Sequence, residues 1–362
     1  MGATVNGVLI MAGGTGGHVF PGLAVARRLL AAQIPVAWLG TRHGMEAEIV
    51  PRAEPAIAME WIKIRGVRGT RVLNWLRLPW TLAVAMLQAF RVMRRVRPAV
   101  VLSMGGFVAG PGGLVAWLTR TPLLIHEQNA IPGMTNKWLA LFADRVMTGF
   151  PAAFAHTNTQ QVGNPVRAEI ARVADPVARL HDRTGALRVL VVGGSRGASA
   201  FNQILPPALG AMDAPRPEVW HQCGRDAAPT VEAAYRASGV AARVAPFIDD
   251  MAAAYAWADV VICRAGAMTI AELAAAGVAS ILVPYPHAVD DHQTANAKFL
   301  VERGAAVLLP QREMTVARVQ ELLRQFTAHR DTLLTMAQAA RACAVLDADA
   351  AVALACREAM HA

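Results

Sequence analysis

Short apolar runs recur along the chain, each ending on glycine or a polar cluster and each followed by a helical spacing. Val8 to Met11 is the first run, and Gly13, Gly14, Thr15, Gly16, Gly17 and His18 follow at once. From Pro21 the apolar positions Leu23, Ala26, Leu29 and Leu30 share one face, with Arg27 and Arg28 off it. This pattern predicts strand, tight glycine turn and helix. Further strands are predicted over 35–39, 56–62, 99–103, 122–125 and 145–148, with helices over 44–50, 79–96, 114–118 and 134–142. Strands that are apolar throughout, rather than alternating, are those of a parallel sheet covered on both faces.

Residues 161–167 read as a passage between domains, after which the pattern restarts. Arg188 to Val192 is a strand, and Gly193-Gly194-Ser195-Arg196-Gly197-Ala198 repeats the first glycine turn about 180 residues later, close to one domain length. Strands follow near 219–223, 243–247, 259–263, 280–283 and 306–309, with helices over 315–327, 330–344 and 350–360. The repeat predicts an α/β protein of two Rossmann-like domains, 1–166 and 167–345.

In open parallel sheets, ligands bind beyond the carboxyl ends of the strands. Three such ends in the first half carry glycine or polar clusters: 13–18, 104–113 and 126–129. The glycines let a backbone approach a ligand closely, and the helix start offers unpaired N–H groups. The first loop is neither G-x-G-x-x-G nor a Walker A sequence, so it does not name its ligand. His18 brings a titratable group to its mouth, either as a proton acceptor or as a simple helix-start residue. Glu127 and Asn129 directly follow an apolar strand. A helix cap or turn is one use for them, and ligand contact is the favoured one.

Charge changes the picture. The chain of 362 residues has a net charge of +9, and between Trp61 and Pro98 there are nine Lys or Arg and no Asp or Glu. Interleaved Trp and Leu favour an anionic membrane over nucleic acid as the partner of residues 62–80, although a core-facing stripe is the competing reading for 72–80. For Leu82 to Phe90 the core is expected. No DNA- or RNA-binding motif is present, and no nucleic-acid partner is expected. Cys223, Cys263, Cys343 and Cys356 show no paired spacing, which predicts a reduced protein without a zinc site. No signal peptide or membrane span is expected. The D-x-D of Asp347-Ala348-Asp349 reads as a helix cap, so neither metal nor cofactor is expected.

Taken in order, six stretches resemble the MurG family of bacterial N-acetylglucosaminyltransferases nearly end to end. They are the 13–18 loop, Met104-Gly105-Gly106-Phe107, His126-Glu127-Gln128-Asn129, Gly163-Asn164-Pro165-Val166-Arg167, the 193–197 loop, and Gly266-Ala267-Met268-Thr269-Ile270-Ala271-Glu272. The resemblance implies a GT-B glycosyltransferase, two Rossmann-like domains facing across a cleft, with the C-terminal helix 346–362 returning to the first. The implied reaction moves GlcNAc from UDP-GlcNAc to the C4 hydroxyl of MurNAc-pentapeptide on undecaprenyl pyrophosphate, with inversion and without metal, in peptidoglycan synthesis. The second domain is then the donor domain. Glu272 accepts from the ribose hydroxyls, Ala267, Met268 and Thr269 (with Ile270 and Ala271 behind them) bring a helix start to the pyrophosphate, and Ser195 donates to phosphate. Arg167 clamps phosphate or closes the cleft, Ile248 meets the uracil, and Gln293, with His292 as an alternate, reaches the sugar. The first domain takes the lipid acceptor, through Thr15, Gly16, Gly17 and the 105–113 loop. His18 is the expected general base, Glu127 its rival or its orienter, Asn129 a contact to the donor sugar or the acceptor, and Phe107 a sugar or loop contact. Residues 62–80 dock on the cytoplasmic face of the membrane, and cell-wall synthesis proteins are further partners. A UDP-GlcNAc 2-epimerase or other UDP-sugar enzyme of the same fold, or a non-catalytic nucleotide-sugar binder, is the competing reading.

Overall fold

The computed structural model describes residues 6–64, 73–151, 153–154, 159–194 and 197–361. The chain divides into two units, Met1–Arg167 with Val345–Ala362, and Ala168–Ala344.

In chain order the first unit holds β1 (Val8–Ala12), α1 (Gly16–Ala31), β2 (Val36–Gly40), α2 (Glu46–Ala53), β3 (Ala58–Trp61) and α3 (Leu73–Val96). It continues with β4 (Val100–Gly105), α4 (Ala109–Leu118), β5 (Leu123–Glu127), α5 (Met134–Leu139), β6 (Arg145–Thr148) and β7 (Thr159–Gln161). The second unit holds α6 (Ala168–Ala171), α7 (Pro176–Leu180), β8 (Arg188–Val192), α8 (Ser199–Gly210), β9 (Glu218–Gln222), α9 (Ala228–Ala237), β10 (Ala242–Ala245) and α10 (Met251–Trp257). After these come β11 (Val260–Cys263), α11 (Ala267–Ala276), β12 (Ala279–Leu282), α12 (His292–Val301), β13 (Ala306–Leu308), α13 (Val316–Ala328) and α14 (Arg330–Ala342). The last helix, α15 (Ala348–Met360), belongs to the first unit.

Both sheets are parallel. The first runs β3-β2-β1-β4-β5-β6-β7 and the second β10-β9-β8-β11-β12-β13. Each therefore starts at its centre, winds to one edge, and crosses back to fill the other side. β1 pairs with β2 from Val8↔Val36 and with β4 from Val8↔Val100, so the order reverses between β1 and β4. The equivalent reversal lies between β8 and β11. These switch points open the crevices that ligands use. Val8 to Ala12 are fully buried, as continuous apolar strands under helices on both faces must be.

Elements α4 and β7 differ from the sequence reading. α4 begins at Ala109, five residues before the expected helix, because Gly-Pro-Gly-Gly looks like a loop. Pro111 sits in the first helical turn, where its missing N–H costs nothing. The glycines are there for proximity: a Cβ on Gly112 would lie 2.2 Å from Met11 Sδ, and one on Gly113 would lie 2.7 Å from Leu139. β7 has no counterpart in the sequence reading, where only its last residue, Gln161, falls in the interdomain passage. It is a three-residue edge strand of Thr and Gln, with no apolar pattern to announce it.

On α3, Ala85, Ala89, Val92, Met93 and Val96 are buried, as expected for a core face, but Leu82, Leu87 and Phe90 are exposed. The assignment of 82–90 to the core is corrected to that extent. The D-x-D reading is also corrected. Asp347 occupies the cap position without a side-chain cap bond, and Asp349 instead accepts from Arg28 Nε at 2.7 Å. With Arg145 to Glu358 at 2.6 Å, this registers α15 against the body of its unit. Both pairs are partly solvated, so most of the adhesion comes from burial of Val352, Ala355 and Cys356.

Candidate active site

At the first switch point, the β1–α1 and β4–α4 turns press together. Gly14 and Gly106 have φ of +94° and +84°, in the region that favours glycine. A Cβ on Gly106 would lie 2.3 Å from the Gly13 carbonyl oxygen, and one on Gly14 would lie 3.0 Å from the Phe107 ring. Phe107 is thus a loop contact. Behind both turns is a carboxylate the sequence reading passed over. Glu46 is fully buried, and it accepts from Gly14 N (3.2 Å), Thr41 N (2.8 Å) and Thr41 Oγ1 (2.9 Å). It holds the glycine loop from beneath.

α1 then starts without a side-chain cap. Thr15 takes the extended N-cap conformation but its hydroxyl caps nothing. The first-turn N–H groups, Gly16 and Gly17 among them, are left facing outward at the positive end of the helix dipole, which suits an anion. His18 stands in that same turn. Arg167 lies over the Phe20 ring, with its guanidinium carbon 5.5 Å from the centroid.

The polar run after β5 forms two hydrogen-bonded sets. In one, Glu127 is buried and takes four donors: Asn129 N (2.9 Å), Asn129 Nδ2 (3.1 Å), Gly133 N (3.1 Å) and Asn136 Nδ2 (2.9 Å). Four donors fill the lone-pair directions of a carboxylate. This corrects the expectation for Glu127. It does not orient His18, whose Nδ1 meets Gln128 instead; it builds the 127–136 loop and aims Asn129. In the other set, His18 Nδ1 meets Gln128 Oε1 at 2.9 Å. Gln128 Nε2 meets His126 Nδ1 at 3.1 Å, and His126 Nε2 meets the Gly163 carbonyl oxygen at 2.8 Å. Asn164 Nδ2 donates to the Gln128 carbonyl oxygen at 3.0 Å. The sequence reading quoted Gln128 without giving it a role.

Burial pushes the His126 pKa down from 6.5 to about 4, against smaller opposing effects of the Gly163 bond and Glu127. His221 in the second unit is pushed down to about 4 by burial as well. A group whose folded pKa lies below its unfolded one binds more protons when unfolded. The stability it contributes is whole above about pH 6.5 and falls away toward pH 4, by up to about 3 kcal/mol for each histidine. Urea midpoints are expected to fall between pH 7.5 and 4.5; equal midpoints would contradict the burial of neutral histidines.

In the second unit, the switch-point turns are 193–197 and 264–266. A Cβ on Gly197, at φ +69°, would lie 2.3 Å from the Cys223 carbonyl oxygen. Ser195 lies outside the described residues. Gly266 is the N-cap of α11 and has no side chain to cap with, so the N–H groups of Ala267, Met268 and Thr269 have no side-chain cap. The Ile270 side chain is in the core and its N–H bonds the Gly266 carbonyl oxygen at 3.0 Å. Ala271 lies half-buried behind that first turn. Glu272 sits in the second turn, where the Tyr255 hydroxyl donates to its Oε2 at 3.1 Å. Gln293 Oε1 accepts from Ala265 N (3.2 Å) and Tyr285 N (2.9 Å), tying two strand-end loops together. Only its Nε2 hydrogens are left for a sugar. Ile248 is buried. Arg264 donates to Val283 O, Pro284 O and Gln311 Oε1, and lies over the Phe201 ring. Among the described residues, no three His, Cys, Asp or Glu gather as a metal site.

Two parallel sheets wound in the same 3-2-1-4-5-6 sense, each with glycine turns and an uncapped helix start at its switch point, define the GT-B class of glycosyltransferases. Residues 8–148 match the N-terminal domain of glycosyltransferase family 28 and residues 188–352 its C-terminal domain, and the chain belongs to that family. It is 55% identical over 336 residues to a protein of Nitrosococcus oceani, covering 92% of this chain and 93% of that one. It is 52% identical over 355 residues to one of Marinobacter nauticus, covering 98% and 97%. Both are named UDP-N-acetylglucosamine–N-acetylmuramyl-(pentapeptide) pyrophosphoryl-undecaprenol N-acetylglucosamine transferase. The crystal structure of Acinetobacter baumannii MurG superposes with a TM-score of 0.83 at 41% identity, covering 97% of this chain and 99% of that one.

Proposed function

We propose that this protein transfers GlcNAc from UDP-GlcNAc to the C4 hydroxyl of MurNAc-pentapeptide carried on undecaprenyl pyrophosphate, inverting the anomeric centre. The relatives' names supply the substrates. The observation that carries the reading is His18, an imidazole held on the first turn of α1 between two glycine turns, with one ring nitrogen anchored and the other unengaged by any described group. His18 is the general base that takes the C4 proton as that oxygen attacks the anomeric carbon. Gly16 and Gly17 N–H groups, with Thr15, receive the acceptor pyrophosphate, and Asn129 meets a sugar hydroxyl. In the second unit, the start of α11 and the 193–197 loop, Ser195 included, stabilise the charge that builds on departing UDP. Glu272 takes the ribose hydroxyls, the Ile248 backbone the uracil, Gln293 Nε2 the donor sugar, and Arg167 a phosphate. UDP release in the presence of lipid-linked acceptor, and near-zero release without it, is the expected steady-state result. Acceptor-independent release would favour the epimerase reading.

A lipid-borne acceptor requires a membrane-facing surface. No helix among the described residues is long and apolar enough to cross a bilayer. The first unit instead exposes Trp80, Leu87 and Phe90 on α3, Trp117 and Leu118 at the end of α4, and Met134, Trp138 and Leu141 on and beside α5. Trp80 is 75% and Trp138 65% exposed, well beyond what packing explains. Arg91, Arg94 and Lys137 are exposed on α3 and α5, and Arg120 just beyond α4. Of the expected 62–80 segment, residues 65–72 lie outside the described residues, Ile62 is buried and Trp80 is exposed. The docking surface proposed is therefore broader than that segment, and its membrane is the cytoplasmic leaflet, with cell-wall synthesis proteins as neighbours. Vesicles containing anionic phospholipid are expected to sediment the protein at low salt, and the double variant Trp80→Glu, Trp138→Glu to stay in the supernatant. Equal sedimentation of both would contradict this surface.

A further inference from the structure

We propose that Gln128, locked by His126, is a positioning residue that fixes the tautomer of His18, placing its one basic lone pair on Nε2. The inference rests on the proposed role of His18 as base and adds what makes it one.

Donors and acceptors alternate along one chain of contacts from Gly163 to His18. A carbonyl oxygen only accepts, so His126 Nε2, 2.8 Å from Gly163 O, carries a hydrogen. His126 is fully buried and neutral at working pH, which leaves its Nδ1 as a bare acceptor. That acceptor faces Gln128, whose amide must therefore present Nε2 toward it, at 3.1 Å. The same Nε2 donates to the His126 carbonyl oxygen, also at 3.1 Å. Flipping the amide would set Oε1 against a lone pair and a carbonyl oxygen at once, so the orientation is fixed twice over. Gln128 Oε1 is then the atom 2.9 Å from His18 Nδ1, and it too only accepts. His18 Nδ1 carries the hydrogen, and Nε2 is unprotonated in the neutral ring.

Packing closes the alternatives. Gln128 is buried, and its carbonyl oxygen is held by Asn164 Nδ2. A Cβ on Gly105 would stand 3.1 Å from His18 Cε1 and 3.2 Å from Nδ1, so the ring lies flush against that turn and has little room to rotate. A neutral amide also differs from a carboxylate in this position: it orients the ring without adding charge beside it. When Nε2 accepts the C4 proton, the Nδ1–H to Oε1 bond persists, and no other proton has to move.

The test reads the tautomer directly. Protein labelled with ¹⁵N-histidine, with the His18 signals assigned by their loss in His18→Asn, is expected to show the Nδ1–H form in long-range ¹⁵N–¹H spectra. Gln128→Met removes the acceptor while keeping the volume. His18 is expected to shift toward Nε2–H, and kcat to fall about 10–100-fold with donor KM nearly unchanged. Gln128→Glu keeps an acceptor and adds charge; the Nδ1–H form is expected to persist while the acid limb of the pH–rate profile moves up by about one unit. An Nε2–H His18 in the unsubstituted protein overturns the inference, as does a Gln128→Met variant with wild-type kcat. The unsubstituted spectrum needs no turnover, so it stands even if the transferase reading fails.

Discussion

Replacing His18 with alanine is expected to lower kcat by about 10²–10⁴-fold while leaving the KM for UDP-GlcNAc within a factor of about three. The split follows from where His18 sits. It belongs to the first turn of α1, in the unit that does not contain the α11 start, Glu272 or Gln293. Removing it takes away a proton acceptor for the attacking hydroxyl and none of the groups assigned to the donor. Steady-state kinetics with both substrates, beside UDP binding by calorimetry, checks this. Turnover within about threefold of the unsubstituted enzyme would remove His18 from the base role, and a large rise in donor KM would make it a donor ligand instead.

Glu46→Ala is expected to cost about 3–5 kcal/mol of stability. Its carboxylate accepts three hydrogen bonds in a fully buried position, from Gly14 N, Thr41 N and Thr41 Oγ1. Alanine leaves all three donors without an acceptor. The damage should be local in function as well. The Gly13–Gly14 turn loses its anchor, so transfer falls, while UDP binding by the second unit persists. Urea unfolding and calorimetry on one sample separate these effects. A loss below about 0.5 kcal/mol would mean that the turn holds itself.

The architecture was legible because buried parallel strands are apolar throughout, so Val8–Met11 and Arg188–Val192 announce themselves, and the repeated glycine turns set them in register. What escaped has a common cause: partners distant in sequence. Glu46 reads as one more acid opening a short helix, and nothing local says that it supports Gly14, 32 residues away. Gln128 was visible in the polar run after β5, but its partner His18 is 110 positions away, so the run's acid drew the attention instead. The carboxylate of Glu127 turned out to be consumed by its own loop. α4 was hidden by glycines whose purpose is contact with Met11 and Leu139, and β7 by being a polar edge strand.

The most direct measurement is a single-turnover reaction of the purified protein with labelled UDP-GlcNAc and lipid-linked MurNAc-pentapeptide, with the product linkage read by NMR. One labelled lipid product is expected, formed only with acceptor, carrying a β linkage to C4 of MurNAc. Label recovered as free or epimerised sugar without acceptor, or an α linkage in the lipid product, would contradict it.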